Sequence, residues 1–229
     1  LHVEHITRRE LRLNELIAEL QPDMIVFSGD FVNFSYRDDP WTETAIRNLI
    51  SAWRAPLGIY VVPGTYTVEP VERVQDFVRG LDHIHLLLDE WRRIPVGEHG
   101  EARLNLLGMV TTHYLEVDQQ KVMALKQAAP SDAFDLLLTH SPDVAPQANA
   151  AGFDLYLCGH THGGQIRLPL IGPMFTGSHL GRAFVMGRYD LGATALYVTR
   201  GVGMEGMGAP RARFLCPPEI ILWEINGTA

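Results

Sequence analysis

The feature that most constrains this chain is a series of short apolar runs, each closed by a turn that carries a metal-ligating or glycine-rich group. Met24 to Ser28 ends at Gly29-Asp30, Gly58 to Val62 at Pro63-Gly64, Phe134 to Thr139 at His140, and Phe153 to Cys158 at Gly159-His160. Apolar runs of about four to eight residues bounded by turn residues read as buried strands. Helix-patterned segments separate them. Thr7 and Glu10 form a capping-box pattern ahead of Leu13, Leu16, Ile17 and Leu20. Thr42 to Trp53, Pro70 to Leu81, Val117 to Ala129 and Asp143 to Ala150 also read as helices, the second with Val71, Val74, Phe77 and Val78 on one face. Further strands are expected over Ile84 to Leu88, Arg92 to Val96 (the more exposed one), Leu104 to Val110, Thr194 to Thr199 and Glu219 to Ile225. Strands alternating with helices imply a sheet covered by helices. The later strands, separated by Gly-rich loops, suggest a second sheet packed on the first. Gly163 to Gly192 has no clear period and suits a substrate-facing loop.

With 229 residues and 46% hydrophobic content, residues 1–229 are enough for a single large α/β domain. A formal charge of -8 and a pI near 5.6 argue against a general nucleic-acid binder, whose phosphate contacts need a surplus of Lys and Arg. An anionic substrate would then be held by metal ions or a few local cations. Cys158 and Cys216 are the two cysteines; they read as reduced core thiols. No stretch approaches the ~20 apolar residues of a membrane span. Localisation is left between cytoplasmic and membrane-associated.

The chemistry is carried by Gly159-His160-Thr161-His162-Gly163-Gly164. In an extended segment both imidazoles project to one side, and the flanking glycines let the backbone approach an ion. Read alone, the pair is equally compatible with two loop histidines. Asp30 and His140 at the ends of other strands change the balance, because ligands at the carboxyl ends of neighbouring strands converge on one crevice. An oxygen ligand with several imidazoles suits Zn, Mn or Fe rather than Ca or Mg. A carboxylate such as Asp30 can bridge two ions ~3.5 to 4 Å apart, a geometry that serves phosphoryl displacement.

These residues resemble the calcineurin-like metallophosphoesterases. Leu1-His2 is similar to the tail of an Asp-Leu-His motif, Gly29-Asp30 to the second motif, Leu138-Thr139-His140-Ser141-Pro142-Asp143 to the fourth, and Gly159-His160-Thr161-His162 to the fifth. Arg200-Gly201 and Cys216-Pro217-Pro218-Glu219-Ile220 resemble a bacterial branch of membrane-associated phosphodiesterases, with members acting on lipid-linked pyrophosphates such as UDP-diacylglucosamine. The resemblance implies a metallo-dependent phosphatase-like four-layer α/β/β/α sandwich whose first strand, with the motif's aspartate, would precede Leu1. A membrane-associating segment would also lie there. It further implies that His2, Asp30 and His162 hold one ion and Asp30, His140 and His160 a second. A hydroxide shared between them would attack phosphorus, and Arg167 or Arg182 would help neutralise the phosphate. The expected substrate is a small or lipid-linked phosphoester.

The third motif departs from the pattern. Gly64-Thr65-Tyr66-Thr67 stands where Gly-Asn-His followed by an acid is expected. Thr65 is a weak ligand candidate, and Tyr66 takes the place of a histidine that assists the leaving group, with a pKa near ~10 that is poorly matched to neutral pH. A rival reading is therefore a catalytically impaired member that binds metal or ligand. His5, His83, His85, His99, His113 and His179 carry no motif and read as surface or structural residues. Trp41, Trp53, Trp91 and Trp223 read as packing residues. Gly201 to Gly208, with Met204 and Met207, and Leu168 to Phe175 read as surface loops or as pocket walls for an apolar substituent.

Overall fold

The computed structural model describes residues 1–97, 99–205 and 210–226. Its first helix, α1 (Arg8–Leu20), begins where the sequence places it. The Thr7 hydroxyl accepts from the Arg9 amide at 3.2 Å while Glu10 Oε2 accepts from the Thr7 amide at 2.8 Å, and Gln21 closes the helix in the left-handed region at φ 44°. After it come β1 (Ile25–Phe27), α2 (Pro40–Ser51), β2 (Ile59–Val61), α3 (Val71–Val78) and β3 (Ile84–Leu86). Then follow β4 (Glu90–Val96), β5 (Ala102–Gly108), α4 (Leu115–Ala128), β6 (Phe134–Leu138), α5 (Ala145–Ala151) and β7 (Leu155–Cys158). A short hairpin, β8 (Arg167–Leu168) with β9 (Gly172–Pro173), precedes β10 (Gly187–Asp190) and β11 (Ala195–Val198).

Strands β1, β2 and β3 form a parallel sheet in that order. A second sheet has the order β10-β11-β7-β6-β5-β4, parallel from β11 to β5 with antiparallel edges. Parallel strands buried on both faces send alternate side chains to two different cores. In β2, Val61 joins Ile46, Ile50, Trp53, Val74 and Phe77 under the first helices, while Tyr60 faces the other way. In β6, Leu136 and Leu138 join Tyr60, Val62, Leu87 and Leu106 between the sheets, while Leu137 packs with Val122, Ala148 and Tyr156 under α4 and α5. Three apolar clusters therefore separate four layers, helix, sheet, sheet, helix.

The second sheet recruits β5, β6 and β7, which are joined through α4 and α5, so it does not consist only of the loop-linked later strands. Two other expectations fail. Glu219 to Ile225 does not form a strand: the prolines Pro217-Pro218 enter it without amide donors, Glu219 N donates to Gly201 O at 3.1 Å, and beyond it Ile220, Leu222 and Ile225 stay exposed while Trp223 turns onto Tyr197, ring centroids 5.6 Å apart. Trp41 is not a packing residue but 78% exposed, because it sits beside the N-cap of α2, where the helix faces solvent. Cys158 and Cys216 are buried free thiols as expected, and Met207 lies outside the described residues. No described helix is long and apolar enough to cross a membrane.

Leu106→Ala empties a fully buried position between the sheets and is expected to cost about 2–5 kcal/mol of unfolding free energy. Trp41→Ala is expected to stay within about 0.5 kcal/mol of the parent. Urea denaturation of both variants checks the difference.

Candidate metal centre

Parallel strands deliver their C-terminal residues to one edge, and there the chain turns sharply. After β1, Gly29 takes φ 88° and Asp30 φ 58°; a Cβ on Gly29 would come within 2.5 Å of the Gly64 backbone. The loops after β1 and β2 are thus pressed together, which only glycine permits. The contact brings the Thr65 amide onto Asp30 Oδ1 at 2.9 Å. The other carboxylate oxygen, Oδ2, faces His2 Nε2 at 3.1 Å and His140 Nε2 at 3.3 Å.

His2 is held by its own backbone, donating to Asp30 O at 2.9 Å as Val3 and Asn33 continue the pairing. Its Nδ1 lies 3.1 Å from Glu205 Oε2 as an ionic contact, leaving Nε2 directed inward. His140 follows β6, and its Nδ1 donates to Ser28 O at 2.7 Å, which again directs Nε2 inward. His160 follows β7 and donates from Nε2 to Gly177 O at 3.2 Å, so Nδ1 faces His140 Nε2 at 3.0 Å. His162 Nε2 lies 3.0 Å from His2 Nε2, and its buried Nδ1 has no hydrogen-bond partner among the described residues. Outer hydrogen bonds of this kind set which imidazole nitrogen keeps its lone pair for a metal.

Two trios result, His2, Asp30 and His162, and Asp30, His140 and His160, each with its ligand atoms within 4.8 Å of one another. Imidazole nitrogens turned toward one another at 3.0 Å around a shared carboxylate form a set of ligand atoms that a cation can occupy in place of the protons, so the residues fit a metal. The donor set, several imidazoles and one shared carboxylate, is chemically that of Zn, Mn or Fe. Four of the five residues, His2, Asp30, His160 and His162, have φ between 50° and 70°, a left-handed conformation that costs about 1–3 kcal/mol each in non-glycine residues. Such clustered strain marks functional sites.

The electrostatics agree. Burial, then the positive charge of His140, push His160 down to about 4; burial and the charge of His2 put His162 well below the usual histidine range. Both are neutral and ready to ligate. Burial works against the charged forms of His2 and His140, but the Asp30 carboxylate outweighs it and raises both. Asp30, equally buried, is held well below the carboxylate range by those two imidazoles.

Of the remaining expected residues, Thr65 is brought in, its Oγ1 3.2 Å from His140 Nε2. Tyr66 is 58% exposed. Arg167 donates to Gly163 O at 2.9 Å, beside the His162 loop, whereas Arg182 is exposed and donates to Ile171 O at 3.0 Å. Sequence reading overlooked four residues. Glu205 contacts His2, yet it lies in a segment that looked like a plain apolar loop. Arg213 clamps the His162 carbonyl at 3.2 Å together with Gly203 O. His113, which carries no motif, has φ 62°, a ring centroid 4.9 Å from that of His160, and a buried Nε2 without a partner among the described residues. Glu69 is fully buried behind Gly64, and burial, then the charge of Asp30, raise its pKa to about 8.

Comparison with known proteins agrees with this geometry. A family model described as calcineurin-like phosphoesterase matches residues 1–164. The uncharacterized metallophosphoesterase YkuE of Bacillus subtilis is 29% identical, over 93% of this chain and 71% of that protein. The phosphodiesterase YaeI of Escherichia coli is 40% identical over 39% of this chain and 32% of its own length. The UDP-2,3-diacylglucosamine pyrophosphatase LpxG of Chlamydia muridarum is 24% identical, over 92% of this chain and 76% of its length. Among solved structures, the NAD nucleotidase of Haemophilus influenzae superposes with a TM-score of 0.51 at 14% identity, covering 84% of this chain and 43% of the other. That likeness concerns the fold.

Two outcomes are expected. Metal loading at neutral pH releases protons, because the raised His2 and His140 must become neutral to ligate; calorimetry in buffers of different ionisation enthalpy measures the release. Glu69 has a folded pKa of about 8 against a model value of 4.5, so the folded state holds a proton that the unfolded state gives up between those values. Its contribution is present at low pH and lost as pH rises through about 8, with a slope on the order of 1 kcal/mol per pH unit. Denaturation of the metal-free chain across this range checks it: Glu69→Gln gains on the parent as pH rises.

Proposed function

The chain belongs to the calcineurin-like phosphoesterase family, and from that membership we propose that it hydrolyses a phosphodiester or pyrophosphate, small or lipid-linked, at a two-ion centre. The observation that carries this reading is Asp30 Oδ2, which stands 3.1 Å from His2 Nε2 and 3.3 Å from His140 Nε2 and so belongs to both trios. His2, Asp30 and His162 would hold one ion and Asp30, His140 and His160 the other, as Mn, Zn or Fe. When bound, such ions supply an activated water and charge neutralisation for in-line displacement at phosphorus.

The chain's own residues do the positioning. The Thr65 amide fixes the Asp30 carboxylate, and its hydroxyl stands at the second trio in place of an amide oxygen. His113, with an unpartnered Nε2 beside His160, is placed to hydrogen-bond a phosphate oxygen there, and Arg167, next to the His162 loop, to balance phosphate charge. Tyr66, exposed at the rim, is the remaining candidate to meet the leaving group. A lipid-linked substrate is supported by the relative named as a UDP-2,3-diacylglucosamine pyrophosphatase. The Thr65-Tyr66 replacement leaves all five residues of the two trios in place, which favours turnover over the impaired reading.

Metal content per chain after loading with Mn, Zn or Fe, measured beside hydrolysis of bis(p-nitrophenyl) phosphate, tests the proposal. About two equivalents and metal-dependent turnover are expected. Asp30→Asn, which weakens both trios, is expected to lower turnover by at least about a hundredfold. A folded chain that takes up no metal would overturn the reading.

A further inference from the structure

The β8–β9 hairpin carries an apolar surface that nothing in the described structure covers. At its tip Leu170 is fully exposed and Ile171 is 56% exposed; Met174 and Phe175 follow at 60% and 76%. Phe214 and Leu215 extend the patch, because Ile166 pairs with Phe214 along the hairpin's side and Arg167 N donates to Phe214 O at 3.0 Å. Clustered large apolar side chains at a projecting turn mark an interaction site.

Charge narrows the partner. The chain as a whole carries -8, yet no Asp or Glu occurs between Asp154 and Asp190, a stretch that includes Arg167 and Arg182. Among the described residues neither arginine is paired with a carboxylate; Arg182 spends a donor on Ile171 O, at the tip. That bond also satisfies a carbonyl that would otherwise be stripped of water in an apolar medium. Exposed apolar side chains with an arginine at the tip that pairs with no carboxylate among the described residues, on a stretch free of acids, suit the boundary of an anionic bilayer.

The hairpin is also bound firmly to the metal loop. Gly177 O, just beyond it, receives His160 Nε2 at 3.2 Å, and Pro173 lies where a Cβ on Gly164 would sit. We propose that this hairpin, with Phe214 and Leu215, inserts into the headgroup region of an anionic lipid surface and sets the metal centre at that surface. The site could then meet a phosphoester whose lipid part stays in the bilayer. That last step rests on the proposed hydrolytic function; the membrane contact does not.

Co-sedimentation of the chain with phosphatidylcholine vesicles, with and without phosphatidylglycerol, tests the contact. Binding is expected to require phosphatidylglycerol and to weaken as salt rises. The double variant Leu170→Asp/Phe175→Asp, at positions exposed enough to leave the fold alone, is expected to lose about tenfold or more of the bound fraction, as removing buried apolar side chains should. Its hydrolysis of soluble bis(p-nitrophenyl) phosphate should match the parent. The proposal is overturned if the parent ignores anionic vesicles, if the variant binds them equally well, or if its sole effect is to abolish self-association in sedimentation velocity. If no protein hydrolyses the soluble diester while vesicle binding still falls in the variant, the catalytic reading fails and the membrane contact stands.

Discussion

The arrangement depends on one buried carboxylate. Asp30 lies at 6% exposure, where an unpaired charge would cost several kcal/mol. Its Oδ1 is satisfied by the Thr65 amide after β2, and its Oδ2 by imidazoles that arrive from the N-terminal segment and from the end of β6. Each sheet contributes a partner. The two sheets otherwise meet through side chains such as Tyr60, Leu106 and Leu136, which specify burial but little registration. The carboxylate ties their edges at a defined point. Because the outer nitrogens of those imidazoles are already bound, their Nε2 atoms face inward, where loss of a proton turns each into a lone-pair donor, and a structural necessity becomes a metal-binding geometry.

That geometry is held against local preference. Four of the five ligand-type residues have left-handed backbone, and Gly29 and Gly64 touch in a way no side chain would allow. Such conformations persist only where the surroundings over-determine them. Here the surroundings are the strand ends below, each fixed by apolar side chains on both faces, and the Arg213 and Cys216 contacts to the His162 carbonyl above, at 3.2 and 3.0 Å. The cores stabilise the fold, and part of that stability holds the site in a conformation the isolated loops would not adopt.

What could be read in the sequence follows the range of the interactions. The capping box at Thr7 and the strand ends at Asp30, His140 and His160 are local patterns, and they were legible, as were both trios through the family resemblance. Leu136, Leu137 and Leu138 look alike in sequence, and only the sheet's pleat sends the middle one to a different core. Glu205, Arg213 and His113 have no local signature at all; they matter through contacts with residues 40 or more positions away. Trp41 misled because aromatic content suggests burial, whereas its place beside the N-cap of α2 turns it to solvent. Glu219 to Ile225 has strand composition but pairs with no strand in the described structure, and pairing is not a local property.

The altered third motif shows how a backbone group preserves what a side chain has lost. In the family pattern the residue at position 65 contributes an amide oxygen to the site, and threonine cannot supply one. The contact that orients Asp30, however, is made by the backbone amide of Thr65, which any residue except proline provides. The shared carboxylate therefore keeps its orientation whatever side chain stands there. The hydroxyl, 3.2 Å from His140 Nε2, still offers an oxygen to the second trio, a weaker donor in the expected place. The replacement thus touches one oxygen beside the second trio and leaves the orientation of the shared carboxylate alone. Its effect should fall on affinity at the second trio before it reaches the centre as a whole.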